Sequence, residues 1–338
     1  MRDLLHLELL KEGKSLLAFS GGADSTALFH LLLDARIDFD IAHVNYHTRS
    51  ASDTEEENAI TLAKRYNKRC YTFSCRLGGT NFEHRAREER YRFFSHLVEK
   101  HGYTYVLTAH QLNDRLEWLM MQLCRGAGLP ELLGIRSSER RGNIHLVRPL
   151  LEWDRESIES YLRDRNIPFS LDESNADERY TRNVFRHRFS APMMREYRDA
   201  IRRSFRYLEE DTDEILETMA FENIGSLFYA SAPARTRSLV SGVDACIKSL
   251  GYVMKSGEKE NLKKNRVNVI GRRYVVCTDD GYTFIAPYCS GIVMDKGFKE
   301  ECRRLGVEPK LRGYLYGDSE AWEAMRRLKG VPVPLRSD

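Results

Sequence analysis

Long apolar stretches are missing from this sequence of 338 residues. No run approaches the roughly 18–20 apolar residues that a membrane-spanning helix needs. The amino terminus, Met1–His6, carries acidic and histidine residues among its leucines, a pattern unlike that of a secretion signal. Hydrophobic residues make up 42% and charged residues 30% of the chain, which is the balance of an ordinary soluble protein. We therefore expect a cytoplasmic protein with no membrane partner.

Cysteine is also scarce, and the spacing of the cysteines is unlike that of a metal site. The seven cysteines lie at positions 70, 75, 124, 246, 277, 289 and 302, and no two of them form a Cys-x-x-Cys pair. This argues against a structural zinc site and against a disulfide framework. Internal repeats and low-complexity segments are absent as well, so the chain is expected to form ordinary globular domains.

Residues 1 to about 130 alternate regularly between the hydrophobic patterns of β-strands and those of α-helices. Short apolar runs of the kind found in strands occur at 15–20, 39–44, 71–74 and 105–108. Helical patterns follow them at 26–33, 54–66, 82–100 and 113–125. Strands that alternate with helices of this length predict βαβ units and a mostly parallel sheet. The predicted fold class is a doubly wound, Rossmann-like α/β domain.

Beyond this region the pattern changes. Asp154 is a predicted N-cap of a further helix, and a helical region is expected from about residue 190 to residue 250. A small β-rich stretch with hairpin turns at 271–272 and 280–281 follows, and the last 50 residues are mixed. We therefore predict a catalytic domain over residues 1–190, a helical region over 191–250 and a small α+β domain over 251–338.

Arginine is concentrated in one segment, from Arg179 to Arg206. Nine arginines and two acidic residues give this stretch a net charge of +7 in 28 residues. A solvated helix face is the ordinary explanation of such a run. Here, however, all nine cations are arginine, and aromatic residues are interleaved, a composition suited to phosphate binding and base stacking. We therefore predict contact with nucleic acid; the interleaved aromatic residues are Tyr180, Phe185, Tyr197 and Phe205.

The strongest motif is Ser20-Gly21-Gly22-Ala23-Asp24-Ser25, between a predicted strand and a predicted helix. Two glycines let the backbone approach an anion closely, and the helix that follows offers unpaired N–H groups and a positive dipole end. Asp24 suits such a site if Mg²⁺ accompanies the phosphates, or if it caps the helix. No Gly-Lys-Ser/Thr follows, so the motif is not a Walker A loop. We predict a cradle for pyrophosphate.

Parallel sheets bind ligands at the carboxyl ends of their strands, where the strand order reverses. His43 ends the second predicted strand and His110 follows the fourth, so both are expected above the glycine loop, although a purely structural role for His43 stays equally open. We expect His110, Asp114 and Glu117 to share one helical face, one turn apart. Two carboxylates beside a nucleotide pocket are costly unless they bind a metal or a cation, for example a substrate amine.

The loop Ser20-Gly-Gly-x-Asp-Ser25 is similar to that of the PP-loop family of N-type ATP pyrophosphatases, which split ATP to AMP and pyrophosphate while they adenylate a substrate. Further motifs resemble the lysidine synthetase branch of this family. They are His43-Val-Asn45 with Arg49, Arg87-Glu-Glu-Arg90-Tyr91-Arg-Phe93, Thr108-Ala-His110-x-x-x-Asp114-x-x-Glu117, Arg125-Gly126-x-Gly128-Leu129, Arg148-Pro-Leu-Leu151 and Asp172-x-Ser-Asn175-x-Asp177-x-x-Tyr180-x-Arg182-Asn183-x-x-Arg186. The resemblance is dense from residue 15 to about 190. It departs at Tyr46 and His47, where many members have a second histidine or a glycine.

The resemblance implies a role for each matched residue. ATP would be bound by Ser20, Gly21, Gly22, Ala23, Asp24, Ser25 and His43. Mg²⁺ would lie near Asp24, and Arg90 and His110 would join Asp24 at the reacting centre. The amine of free lysine would be received by Asp114 and Glu117. Transfer RNA would be met by Arg179, Arg182, Asn183 and Arg186.

The implied reaction is a ligation in tRNA processing. Free L-lysine is attached to C2 of the wobble cytidine of an isoleucine tRNA with a CAU anticodon, and ATP yields AMP and pyrophosphate. The residue chemistry is compatible with this, because the C2 carbonyl is a poor electrophile and adenylation gives it a leaving group. Asp114 or Glu117 could bind the ammonium group and then accept its proton, and the sequence leaves open which of them does. A homodimer is possible.

Two alternatives stay open at this point. The first is a tRNA thiolation enzyme of the same fold, which adenylates the same base position and delivers sulfur. Such enzymes usually need paired cysteines, and Cys124, just before Gly126, is the only cysteine near a motif. The second is a tRNA-binding relative that has lost catalysis. The intact glycine loop and the His110 motif argue against it, and ATP–pyrophosphate exchange would separate the two.

Overall fold

The computed structural model describes residues 3–47, 52–76, 82–170, 181–279 and 281–330. The chain divides into two compact units, Met1–Glu210 and Asp211–Asp338. None of the helices in these described ranges is both long enough and apolar enough to cross a membrane. Arg49, Asp172–Asp177, Arg179 and Tyr180, which the sequence motifs singled out, lie outside the described residues.

The first unit is built on a six-stranded sheet. Its strands are β1 (Ser15–Ala18), β2 (Phe39–Asn45), β3 (Cys70–Ser74), β4 (Tyr105–Leu107), β5 (Ser138–Arg141) and β6 (Ile144–Val147). They lie in the order β3-β2-β1-β4-β6-β5, and every neighbouring pair is parallel except β5 with β6. The chain moves outward from β1 to β3 and then returns to place β4 on the other side of β1. The strand order therefore reverses between β1 and β4, which confirms the doubly wound fold.

Helices cover both faces of this sheet. They are α1 (Leu7–Lys11), α2 (Ala23–Asp34), α3 (Ser52–Arg65), α4 (Phe82–His101), α5 (Leu112–Leu123), α6 (Leu129–Leu132), α7 (Arg155–Asp164), α8 (Thr181–Phe185) and α9 (Ala191–Ile215). A π-helical segment, Arg186–Ser190, joins α8 to α9. The last residues of α9 belong to the second unit.

The sheet is buried on both faces, as expected for parallel strands between helices. Leu16 and Leu17 are neighbours in β1, so they point to opposite faces, and both are fully buried. Leu17 belongs to a core formed with α2, α3 and α7, whereas Leu16 packs with Phe94 of α4. A separate apolar cluster joins Leu112 and Leu116 of α5 to one face of α9. This cluster fixes α9 against the helix that carries the predicted acidic residues.

The second unit is a five-stranded antiparallel sheet with helices on both sides. Its strands are β7 (Glu222–Ile224), β8 (Leu227–Ser231), β9 (Val267–Ile270), β10 (Tyr274–Asp279) and β11 (Tyr282–Pro287), in the order β7-β8-β11-β10-β9. Its helices are α10 (Thr236–Ser249), α11 (Ser256–Lys264), α12 (Lys296–Arg304), α13 (Pro309–Gly317) and α14 (Ser319–Leu328). Val275 packs in the core toward α12–α14, and its neighbour Val276 packs toward α10 and α11.

The structure corrects the sequence interpretation in two places. The range 191–250 is not uniformly helical, because β7 and β8 lie between α9 and α10. These strands were missed because β8 pairs with β11, which lies more than 50 residues later in the chain. The local hydrophobic pattern alone therefore gives little indication of a strand. The pair β5 and β6, at the far edge of the first sheet, was also not predicted. The domain boundaries at 190 and 250 stay a prediction.

Candidate active site

The glycine loop lies at the carboxyl end of β1, at the edge of the sheet where the strand order reverses. Gly21 adopts a φ of 81°, a left-handed conformation that favours glycine, and Gly22 is the N-cap residue of α2. No side chain caps this helix. Its first N–H groups and its positive dipole end therefore remain available for an anion at this position.

Ser25 ties the loop together from inside. It is buried, and its hydroxyl donates to the carbonyl of Gly22 at 3.1 Å. The same oxygen lies 3.1 Å from the Ser20 hydroxyl and 3.3 Å from the Ser20 amide nitrogen. From outside, the amide of Ser170 donates to the carbonyl of Gly21 at 3.0 Å. The loop is thus held in shape before any ligand binds, and Ser25 serves the loop itself.

A cavity of about 640 Å³ opens above this loop. Pockets of about 300–1,000 Å³ are the usual size for cofactors and drug-sized ligands, so an ATP molecule can be accommodated. Residues from the ends of β1, β2 and β4 share the lining with α4, α7 and α8. Its polar lining residues include Ser20, Asp24, Ser25, His43, Asn45, Tyr46, Arg87, Arg90, Tyr91, Thr108, His110, Asp114, Arg155, Glu159, Ser170, Arg182 and Arg186. Most of the predicted catalytic and ATP-binding residues therefore meet in one cavity.

Asp24 stands in the first turn of α2, facing this cavity. Burial and the neighbouring charge of Asp114 raise the pKa of its carboxyl to about 7, although Arg155 and Arg186 act in the opposite direction. An Asp with this pKa is only partly ionised at neutral pH. A cation that binds beside it would favour the carboxylate form, so the carboxyl is suited to share a metal ion with an anionic ligand.

The two predicted histidines differ in their environments. The Nδ1 of His43 lies 3.0 Å from the carbonyl oxygen of Phe19, so Nδ1 carries a proton and donates it to this carbonyl. His110 lies before α5, not on it, because the helix begins at Leu112 with Gln111 as its N-cap. The prediction that His110 shares a helical face with Asp114 and Glu117 is therefore wrong. Burial lowers the pKa of His110 to about 4, which leaves it neutral at physiological pH.

Asp114 and Glu117 are paired with two arginines. Arg182 bridges both carboxylates, with its Nε 2.8 Å from Glu117 and its Nη2 on Asp114. Arg186 donates to both oxygens of Glu117, at 2.8 and 3.3 Å. Glu117 has no exposed surface and is not among the residues that line the cavity. Sequence reasoning expected a substrate amine or a metal at these carboxylates, and the structure places guanidinium groups there.

This ion-pair network shifts the titration of its members. Burial alone would raise the pKa of Asp114, but the charge of Arg182 and a hydrogen bond from the Gln111 amide hold it below its ordinary value. Burial opposes the charged form of Arg182, yet Asp114 and Glu117 raise the pKa of the guanidinium above its ordinary value. Asp114 is thus ionised and Arg182 charged throughout the physiological range.

On the opposite wall, α4 supplies arginines held by tyrosines. The Nε of Arg90 donates to the hydroxyl of Tyr46 at 3.1 Å, and that hydroxyl donates to the carbonyl of Ala86 at 2.7 Å. The guanidinium of Arg87 lies over the ring of Tyr91, 4.9 Å from its centroid. Arg87 was part of a recognised motif but had no assigned role. Its place in the cavity adds a second cation beside Arg90.

His47 is, with Tyr46, one of the two positions where this sequence departs from the lysidine synthetase pattern of a second histidine or a glycine. Its φ of 50° is left-handed, which explains why glycine is suited to this position. The strain is compensated locally, because the side-chain oxygen of Asn45 accepts the His47 amide at 2.9 Å. The ring also contacts Asp53 and Ser74. His43 and Asn45, which precede this turn, both line the cavity.

The arginine-rich segment divides into buried and exposed members. Arg198 and Arg202 bind Asp154 and neighbouring groups within the first unit. Their charges therefore contribute to the packing of this unit as well as to its basic surface. Phe205 is buried beneath Arg115, and Asn183 is also buried, so neither side chain is accessible for stacking or base contact in this conformation. The exposed members are the arginines Arg182, Arg188, Arg195, Arg203 and Arg206 and the aromatic residues Phe189 and Tyr197, and the exposed Tyr207 follows directly.

Comparison with solved structures supports the fold. The chain resembles a U34-tRNA thiolase from Methanococcus maripaludis, with a TM-score of 0.50 and 15% sequence identity, over 60% of this chain and 74% of that chain. At this identity the likeness concerns the fold alone. It agrees with the doubly wound sheet.

Sequence comparison is more specific. The model of the PP-loop domain matches residues 2–192. A tRNA(Ile)-lysidine synthase of Wolinella succinogenes is 42% identical over 310 residues, which cover 91% of this chain and 94% of that protein. Enzymes of the same name from Campylobacter jejuni and Helicobacter pylori are 38% and 37% identical, and the matched regions cover 92% and 93% of this chain. The chain therefore belongs to the tRNA(Ile)-lysidine synthase family of PP-loop proteins.

Proposed function

We propose that this chain is a ligase that forms lysidine: it adenylates the wobble cytidine of an isoleucine tRNA with a CAU anticodon and joins free L-lysine to its C2 atom. The observation that carries the proposal is the placement of an acidic pair beside a nucleotide cavity. Asp114 reaches the cavity that the glycine loop opens, and Glu117 lies directly behind it, bound to the same guanidinium. An anion cradle and a cation site thus adjoin each other.

In the first step, the C2 carbonyl oxygen of the cytidine attacks the α-phosphorus of ATP, and pyrophosphate leaves. The uncapped start of α2 and the backbone of Gly21 and Gly22 would bind the phosphates. Arg87 and Arg90 line the same cavity and would stabilise the charge that develops on phosphate and base. Because the tyrosine partners of both arginines already orient them, little reorganisation would be needed.

The residues near Asp24 fit one Mg²⁺ shared with the phosphates. Mg²⁺ is usually bound by one or two carboxylates together with substrate phosphates, not by a cage of protein ligands alone. In the described part of the chain, no group of three His, Cys, Asp or Glu side chains could hold a metal by itself. Asp24 would supply the protein ligand, and the bound ion would neutralise charge on the leaving pyrophosphate. With a pKa of about 7, Asp24 would bind Mg²⁺ in competition with a proton.

In the second step, an amine of free lysine attacks C2. The bond from C2 to the adenylated oxygen breaks, AMP leaves with that oxygen and the electron pair of the bond, and Asp114 or Glu117 would accept the proton that the amine loses. An amine attacks only in its neutral form, whereas free lysine is protonated at pH 7, because its side-chain pKa is about 10.4. Asp114 and Glu117 would first bind the ammonium group. Asp114, which reaches the cavity, would be the nearer of the two to the developing bond.

The experiment that tests this function is a stoichiometry measurement. Purified protein is incubated with ATP, Mg²⁺, labelled L-lysine and a CAU-anticodon isoleucine tRNA transcript. We expect one lysine incorporated and one AMP released for each tRNA, and no incorporation into a transcript whose wobble cytidine is replaced by uridine. AMP release without lysine incorporation would favour another adenylating enzyme of the same fold, and a protein that forms no AMP would favour a pure binder.

A further inference from the structure

The carboxylates that the proposed function assigns to lysine are already neutralised in the free protein. Arg182 donates to both of them, and Arg186 donates to Glu117 through two nitrogen atoms. Two acidic charges thus face two guanidinium charges at close range. The amine site is electrically balanced without a substrate.

Access to Glu117 is also blocked. Glu117 is fully buried, whereas Arg182 and Arg186 line the cavity. An ammonium group that enters from the cavity therefore meets two cations before it reaches this carboxylate. It could bind there only if a charge-assisted hydrogen bond were given up, which corresponds to a loss of about 10–150-fold in affinity.

The two arginines differ in how freely they can leave. The side chain of Arg186 is 12% exposed, while that of Arg182 is 45% exposed. Arg182 lies on α8, a short helix of five residues at the cavity wall, within the arginine-rich segment. Of the two arginines, Arg182 is therefore the one that solvent and a ligand reach more readily. A guanidinium is also the side chain best suited to bind a phosphate through two parallel hydrogen bonds.

We propose that Arg182 closes the amine site in the free protein and that RNA opens it. On binding, a phosphate of the RNA takes the guanidinium of Arg182 from Asp114 and Glu117, and the freed carboxylate oxygens receive the lysine ammonium. This inference rests on the proposed function and adds an order of binding to it, with tRNA before lysine. By linkage, lysine and tRNA each raise the affinity for the other by the same factor.

The test measures lysine binding in the absence of ATP, so that no chemistry occurs. Equilibrium dialysis with radiolabelled L-lysine is performed on the wild-type protein with and without the CAU-anticodon transcript. We expect lysine to bind about 10-fold more tightly, or better, when tRNA is present. Arg182→Gln should bind lysine without tRNA about 10-fold more tightly than the wild type does, and tRNA should then add little.

Arg92→Gln is the matched control. Arg92 is an arginine of the same unit that is 74% exposed, pairs with Glu89 in its own helix and is not among the residues that line the cavity. It should behave as wild type does. Equal lysine affinity of the wild type with and without tRNA overturns the inference, and this arm needs no variant that folds. A folded Arg182→Gln protein, with a wild-type melting temperature, that gains no affinity for lysine also overturns it.

Failure of the proposed function itself has a different signature. The protein would then bind no lysine in any condition and incorporate none when ATP and tRNA are both supplied. That outcome would exclude both the lysine site and the closing of that site by Arg182. If lysine binds and is incorporated but its affinity is independent of tRNA, the proposed ligase function stands. Only the closing of the amine site by Arg182 is then overturned.

Discussion

The Nε of Arg182 lies 2.8 Å from a carboxylate oxygen of Glu117, a residue with no exposed surface. The sequence pattern assigned Arg182 to tRNA binding and Glu117 to lysine binding. In the structure these two residues instead bind each other. A change to either residue should therefore alter both RNA binding and lysine binding. Because of this coupling, substitutions in the pair test the proposed tRNA contact and the proposed lysine contact together.

The two arginines of the network should respond differently to substitution. Arg182→Gln should weaken tRNA binding and reduce the slope of log K against log salt by about 0.7–0.9, because one phosphate contact is lost. Arg186→Gln should leave the slope nearly unchanged. Filter binding across a series of salt concentrations measures both. An unaltered slope for Arg182→Gln would assign that residue to structure alone.

Arg186→Gln should instead lower stability. Breaking a buried ion pair costs roughly 3–5 kcal/mol, and the remaining bond from Arg182 to Glu117 offsets part of it, so we expect about 2 kcal/mol. Urea unfolding of the two variants side by side gives the comparison. A stability equal to that of the wild type would show that Glu117 is satisfied without Arg186.

Asp24→Asn should abolish AMP formation while tRNA binding is largely retained, because the shared metal and phosphates lose a ligand. Stability should change with pH as well. The pKa of Asp24 is raised to about 7, so folding disfavours its charged form above the unfolded pKa of about 3.9. The stability of Asp24→Asn relative to wild type should therefore grow from about pH 4 to pH 7 and then level off. Thermal melts without ATP and Mg²⁺ measure this, and a pH-independent difference would contradict the raised pKa.

Asp114→Asn should raise the KM for lysine about 10–150-fold, the cost of one lost charge-assisted hydrogen bond. The oxygen of Asn can still accept the Gln111 amide that caps α5, so the fold should be preserved. Adenylation of tRNA precedes amine attack and should survive better. The assay compares lysine-independent AMP release with lysine incorporation. If both fall together at an unchanged KM for lysine, the carboxylate serves ATP or metal instead.

Tyr197→Ala should weaken tRNA binding without changing its salt dependence. Tyr197 is 56% exposed on α9, beside the exposed arginines of that helix. Stacking of a base on an aromatic ring contributes roughly 1–3 kcal/mol and releases no counterion. Ile60→Ala is the control, since Ile60 is an exposed apolar residue on α3. Equal tRNA affinity of Tyr197→Ala and Ile60→Ala would exclude a stacking role.

The sequence predicted those parts of the molecule that local chemistry determines. The glycine loop was recognisable because Gly21 needs a left-handed backbone and the following helix needs an anion or a cap. The parallel sheet was recognisable because its strands are short apolar runs between helices. Phe205 was misjudged, although its spacing from Met194, Ile201 and Leu208 follows the buried face of α9.

The parts that escaped prediction depend on partners far away in the chain. Arg182 and Arg186 bind carboxylates 65 to 69 residues earlier, and no periodicity carries a relationship of that length. The same holds for β8, whose position is set by pairing with β11. Residue types at matched motif positions therefore predicted a group of residues, most of which line one cavity, and their roles stay a prediction. They did not show which of its charges bind each other.

The most direct measurement of the central claim is made on the product. A CAU-anticodon isoleucine tRNA transcript is incubated with the protein, ATP, Mg²⁺ and isotopically labelled L-lysine, then digested to nucleosides and analysed by mass spectrometry. We expect the wobble cytidine to be replaced by a nucleoside that is heavier by one condensed lysine and carries the label. An unmodified cytidine, or a nucleoside in which sulfur replaces oxygen, would contradict it.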